Sequence, residues 1–142
     1  MKYSQATNYA LHTMLYFVAL PSGTTLGVQR LAALQSLSPT YLSKILTKLV
    51  KAGLIESTPG AHGGYTLAKN NSELSFLDVI HAIEGTASSF HCGAGLPHDA
   101  CLIQHVMRDA ERHLESYLNG RKLIELAAQT TQWLNEAEQP PA

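Results

Sequence analysis

The sequence predicts a mainly α fold with one small β element, and three observations carry that prediction. First, residues 38–52 have a helical pattern that Gly53 closes, and two short strand-like runs follow at once. Second, apolar residues recur at helical spacing in four further segments, within residues 11–18, 28–32, 76–83 and 102–118. Third, only Gln35, Ser36 and Leu37 separate the second helix from the third, which is the short turn of a helix-turn-helix. Helix, helix, turn, helix and hairpin in that order predict a winged helix-turn-helix domain. The long helix that follows is left over as a dimerisation element.

Taken in order, Leu11, Met14, Leu15 and Val18 fall at i, i+3, i+4 and i+7 of a core helix over residues 4–20, which Pro21, Ser22 and Gly23 end. From Thr25, Val28, Leu31 and Ala32 mark a short second helix. In the third, Ser38 is an N-cap and Pro39 suits the first helical position, where its missing N–H would be unpaired anyway. Leu42, Ile45, Leu46, Leu49 and Val50 form one apolar stripe. The opposite face carries Thr40, Ser43, Lys44, Thr47, Lys48 and Lys51, with no acidic residue anywhere in 38–55. Gly53 fits a left-handed C′ position, and the runs 54–57 and 64–67 flank a tip made of Thr58, Pro59, Gly60, Ala61, His62 and Gly63. A cationic helix face beside a hairpin tip suits a helix lying in a major groove with the wing alongside. For the helix alone, the competing reading is a surface helix whose lysines only solvate it.

Beyond the hairpin, Ser75 and Asp78 have the spacing of a capping box, and Phe76, Val79, Ile80 and Ile83 supply a stripe up to Gly85. Residues 86–100 are irregular. Leu102, Val106, Ala110, Leu114 and Leu118 then recur every fourth residue, with His113 and Tyr117 beside them, until Asn119 and Gly120. Such a helix of about 18 residues is about 27 Å long. Its stripe is assigned to a two-fold dimer seam rather than to its own core, because helix-turn-helix proteins read paired half-sites. Residues 123–134, with Trp133 as packing, make a last short helix folding back on that seam. The expected organisation is a DNA-binding domain over 1–85, a cysteine/histidine loop over 86–100, dimerisation helices over 101–135 and a flexible tail over 136–142.

At 142 residues, 45% hydrophobic and 15% charged, the chain is one globular domain able to bury a core without staples. No apolar run approaches the roughly 20 residues that span a bilayer, and no secretory leader is present, so a cytoplasmic, non-membrane protein is expected. The net charge of −1 hides an asymmetry. Residues 1–69 hold six basic residues against Glu56 alone, a net of +5, whereas residues 70–142 hold four basic and ten acidic, a net of −6. A basic half carrying the reading helix is what one phosphate-facing surface requires.

The segments NYALHTMLYFVAL at 8–20, SPTYLSKILTKLVKAGLIES at 38–57, HGGYTLA at 62–68, DVIHAIEG at 78–85 and CLIQHVMRD at 101–109 resemble the Rrf-two family of bacterial winged-helix regulators, which includes the IscR- and NsrR-like iron-sulfur proteins. The resemblance implies a transcriptional regulator, read as a repressor, that binds double-stranded operator DNA as a homodimer. It implies DNA contacts from Ser38, Thr40, Tyr41, Ser43 and Lys44, with Lys48 on the same face, and from His62, Gly63, Gly64 and Tyr65 at the wing. Glycines there would let backbone approach phosphate with no Cβ in the way. Many members carry an arginine where this chain has Pro59, so a minor-groove cation is missing.

Cys92 and Cys101 are the only cysteines, with His91, His98 and His105 around them. Cluster-binding members place three cysteines in this loop. Here the first and last are kept, the middle one is lacking, and Gln104 stands where cluster members carry histidine. The resemblance therefore implies a [2Fe-2S] cluster held by Cys92, Cys101 and a histidine, His12 or His98, and a protein sensing redox, iron-sulfur or nitrosative status. A zinc ion, a thiol pair closing to a disulfide, and two unreactive cysteines with no cofactor are the alternatives. His81 and His113 read as packing histidines and Glu84 as a helix-terminal structural residue. An enzyme is not expected. A metal-dependent hydrolase is the remote alternative, but the chain has no HExxH, no phosphate loop and no GxSxG.

Overall fold

The computed structural model describes residues 2–68, 70, 72–95 and 100–138, without the side chains of 133 and 135–138. The elements are α1 (Gln5–Ala19), α2 (Val28–Gln35), α3 (Pro39–Lys51), β1 (Ile55–Thr58), β2 (Gly64–Leu67), α4 (Phe76–Glu84), α5 (Leu102–Gly120), a 3-10 turn (Leu123–Leu126) and α6 (Ala127–Glu138). Among the described residues this is a mainly helical fold with one two-stranded antiparallel sheet.

Local chemistry sets the helix starts. Ser38 Oγ accepts the Tyr41 N–H at 3.1 Å, with Pro39 at the first position. Ser75 and Asp78 form the reciprocal capping box, each bond 3.0 Å. In the turn between α2 and α3, Ser36 takes a left-handed φ of 54°, so that the Leu37 N–H reaches back to the Ala32 carbonyl at 2.9 Å. The core then forms where the stripes meet. Ala10, Met14, Phe17 and Val18 of α1 pack with Leu42, Ile45, Leu46 and Leu49 of α3, and Leu26, Leu31, Leu54, Ile55, Leu74, Val79 and Leu123 close the remaining sides.

Two features depart from the sequence reading. The second helix begins at Val28 rather than Thr25, because Leu26 is used as a strand residue. Its N–H donates to the Tyr65 carbonyl at 2.9 Å, and the Tyr65 N–H donates back at 2.8 Å. The last helix was expected against the α5 seam, yet α6 lies along α1. Thr131 Oγ1 donates to the Ala19 carbonyl at 3.1 Å, Leu123 N–H to the Leu74 carbonyl at 3.0 Å, and Leu134 is buried. The C-terminal segment thus completes the N-terminal core. Helix α6 runs to Glu138, so the tail predicted from 136 starts helical. Residues 139–142 lie outside the described residues.

Candidate nucleic-acid interface and cysteine loop

Helix α3 turns its apolar stripe inward, which forces the remaining positions outward. Thr40, Tyr41, Lys44, Thr47, Lys48 and Lys51 are exposed, while Leu42, Ile45, Leu46 and Leu49 are buried. Ser43 is half-buried and donates its hydroxyl to the Pro39 carbonyl at 2.8 Å, as Thr47 does to Ser43 at 2.9 Å. Tyr41 is 38% exposed, and its ring meets Tyr9 of α1 edge-on at 6.0 Å between centroids. One side of Tyr41 is therefore fixed by the scaffold, leaving its other side outward. Lys48 lies in the field of Glu84, whose carboxyl is held below the usual range mainly by the Ser4 N–H and the Thr7 hydroxyl, with a smaller pull from Lys48. Glu84 Oε1 takes Ser4 N, Ser4 Oγ and Thr7 Oγ1 at 2.8, 2.9 and 2.7 Å, tying α4 to the start of α1. That is the structural role expected for Glu84.

At the wing, β1 and β2 pair from Ile55 with Leu67 to Thr58 with Gly64. His62 is exposed at the tip, and Tyr65 is half-buried against the core. The glycines have an intramolecular reason that the sequence reading missed. A Cβ on Gly63 would stand 2.2 Å from the Thr58 carbonyl oxygen, and one on Gly64, at φ 150°, 2.6 Å from that of Leu26. Backbone packing within the wing already excludes side chains there, before any phosphate is considered.

The loop after α4 is organised by α5. Glu111 accepts Ser88 Oγ at 2.8 Å, Ser89 Oγ at 3.1 Å and Phe90 N–H at 3.2 Å. These donors, Ser88 first, hold its carboxyl below the usual range. Cys101 is the N-cap of α5, its Sγ accepting the Gln104 N–H at 3.4 Å. The Gln104 side chain in turn accepts the Cys92 N–H at 3.0 Å. Both cysteines are free, Cys92 half-buried and Cys101 buried. A hydrogen bond from the Cys92 thiol, then the Gln104 and Ile103 backbone N–H groups, hold the Cys101 thiol below its ordinary value. The Cys101-x-x-Gln104 spacing, with glutamine at the capping-box position, was the signal available for this network.

Of the proposed histidine ligands, His98 lies outside the described residues. His12 is exposed, and its Nδ1 lies 2.8 Å from the Asn8 carbonyl. A carbonyl only accepts, so Nδ1 is the donor in this hydrogen bond. Among the described residues, no group of three or more His, Cys, Asp or Glu side chains could hold a metal ion. A cluster takes four ligands, and the described residues of one chain supply two free thiols and no group of three ligating side chains, so they do not make up the site.

The predicted seam on α5 divides. Leu102 and Val106 are 77% and 67% exposed, and Ala110 is exposed with them. Leu114 and Leu118 are half-buried, Leu114 facing Leu77 and Ile80, and Leu118 near Phe76 and Leu126. At 3.6 residues per turn, each step of four overshoots by about 40°, so four steps rotate the series by about 160°. The exposed stripe instead includes Ile103, Met107 and Tyr117, at 67%, 40% and 59% exposure.

Among the described residues no helix is long and apolar enough to cross a membrane. Residues 3–129 match the family described as Rrf2, "Iron-dependent Transcriptional regulator". The transcriptional regulator IscR of Klebsiella pneumoniae is 32% identical over 130 residues, covering 89% of this chain and 79% of that protein. The solved structure of CymR (YrzC), the global cysteine regulator of B. subtilis, superposes with a TM-score of 0.73 at 26% identity, covering 91% of this chain and 98% of that one. IscR of T. potens superposes at 0.72 and 25% identity, covering 100% and 94%. With this winged fold, this match over most of its length and these relatives, the chain belongs to the Rrf2 family of DNA-binding transcriptional regulators and is not an enzyme.

Proposed function

We propose that the protein acts in the cytoplasm as a repressor that binds operator DNA as a homodimer. The exposed cationic face of α3, free of carboxylates, is the observation that carries this reading. Thr40, Tyr41, Ser43 and Lys44 meet the major groove from the first turns of α3, with Lys48 on phosphate, while His62 and the backbone at Gly63 and Gly64 meet the flanking phosphates. Tyr65 supports the wing from the core side. Two copies pair through the exposed stripe of α5, which spaces the two reading helices for paired half-sites. The 86–100 loop, anchored on the same helix by Glu111 and Gln104, is the sensory segment. Gel retardation against excess random-sequence competitor tests the reading. Retention of a discrete complex on the operator supports it, and equal loss to competitor defeats it.

A [2Fe-2S] cluster spanning two chains is the second reading, favoured by exposed His12, whose Nδ1 is taken up by the Asn8 carbonyl so that Nε2 is the ring nitrogen left for a ligand. Visible absorption of anaerobically purified protein, with iron, sulfide and zinc analysis, decides it. A colourless, iron-free protein that binds its operator removes the cluster.

A further inference from the structure

We propose that Tyr9 of α1 is a positioning residue for operator reading: its ring holds the Tyr41 side chain of α3 in one rotamer before DNA is met. The proposal rests on the reading of Tyr41 as a major-groove contact and deepens it. Tyr41 stands in the first turn of α3, where Ser38 Oγ takes its backbone N–H at 3.1 Å. That bond fixes the backbone and leaves the side chain free to rotate. The Tyr9 ring supplies the second restraint, meeting the Tyr41 ring at 89° with 6.0 Å between centroids. Edge-to-face pairs of this kind are held by the positive edge of one ring against the negative face of the other.

Tyr9 is itself fixed from two directions. Its side chain is half-buried against the core, and its carbonyl accepts Thr13 Oγ1 at 2.8 Å. Thr13 Oγ1 in turn accepts Gln35 Nε2 at 2.8 Å. This one turn of α1 therefore grips both helices of the helix-turn-helix, the end of α2 through Gln35 and the start of α3 through Tyr41. Tyr41 remains 38% exposed, so the contact restrains the side chain without taking it from the surface. The rotamer freedom that DNA binding would otherwise remove is already gone. That gain falls on base contacts, which carry sequence information, and not on the lysines that meet phosphate.

The test uses the full chain, the operator duplex recovered by selection from a random pool, and a random-sequence duplex of equal length. Tyr9→Leu keeps apolar bulk but removes the ring, and should lower operator affinity by about 2- to 10-fold. Affinity for the random duplex and the salt slope should match the wild type, because no phosphate contact is touched. Tyr9→Phe keeps the ring and should retain operator affinity. In a Tyr41→Leu background, Tyr9→Leu should cost nothing further, since the two residues act as one. A merely structural Tyr9 would weaken both duplexes together and add its loss to that of Tyr41→Leu, which overturns the proposal. Hα–Hβ couplings of Tyr41 in the free wild-type protein should report a single rotamer, and averaged couplings overturn the proposal even if Tyr9→Leu fails to fold. A loss in Tyr9→Phe as large as in Tyr9→Leu does the same. Wild-type operator affinity in Tyr41→Leu would take Tyr41 off the DNA and this role of Tyr9 with it, whereas unchanged binding by Tyr9→Leu beside weakened binding by Tyr41→Leu would remove Tyr9 alone.

Discussion

Leu26 and Tyr65 exchange two backbone hydrogen bonds, at 2.9 and 2.8 Å, that sew the wing to the residue one step before the N-cap of α2. Gly64 permits this approach, since a Cβ there would stand 2.6 Å from the Leu26 carbonyl oxygen. Gly64→Ala should therefore pry the wing from α2, add left-handed strain and cost about 1–3 kcal/mol of stability. Thermal unfolding paired with gel retardation checks it. A variant with unchanged melting and unchanged operator affinity would show that this seam is dispensable.

Lys44 is exposed on α3 and has no described carboxylate partner, whereas Lys48 shares the field of Glu84. Lys44→Ala should weaken binding to all duplexes and flatten the slope of log affinity against log salt by roughly 0.9 for each phosphate no longer neutralised. Equal slopes for the variant and the wild type would take Lys44 off the phosphate.

Val106 is 67% exposed, so Val106→Asp should leave the single chain folded while placing a carboxylate in the seam between copies. An unpaired buried carboxylate costs several kcal/mol, enough to give monomers. Sedimentation velocity reads the outcome, and an unaltered dimer would move the seam elsewhere. Leu114→Asp is the poorer test, because half-buried Leu114 faces α4 and its loss would unfold as well as dissociate.

Glu111 is held below the usual carboxylate range by Ser88, Ser89 and Phe90. Its folded value is depressed, so the anchoring is fully present above the ordinary carboxylate value and is lost as pH falls through the depressed one. Amide exchange at Phe90 should accelerate on acidification in that window, and Glu111→Gln should show fast exchange already at neutral pH. Identical Phe90 protection in the variant would rule out Glu111 as the anchor.

Much of this was legible in the sequence because the signals were local. Ser38-Pro39, the Ser75/Asp78 box and the stripe of α3 each name their own structure within one or two turns. What was hidden depends on distant partners. The strand role of Leu26 is set by Tyr65, far along the chain, and residues 24–27 show no alternation to announce it. The reason for Gly63 and Gly64 is backbone of the same domain, which motif resemblance could not distinguish from backbone approaching phosphate. On α5, a strict four-residue repeat reads as one face in the sequence, although helical geometry turns it from the exposed Leu102 to the half-buried Leu118. Gln104 was visible only as a missing histidine, yet it is the residue that ties Cys92 to the cap of α5.

Selection of bound duplexes from a random pool by the reduced protein bears hardest on the reading of the chain as a homodimeric operator-binding regulator. The predicted result is enrichment of an inverted repeat whose half-sites lie about 10 bp apart centre to centre, or a multiple of that, protected on one face and lost with Val106→Asp. No enrichment over the input pool, or a single asymmetric site bound equally well by Val106→Asp monomers, would contradict a homodimer reading operator DNA through α3.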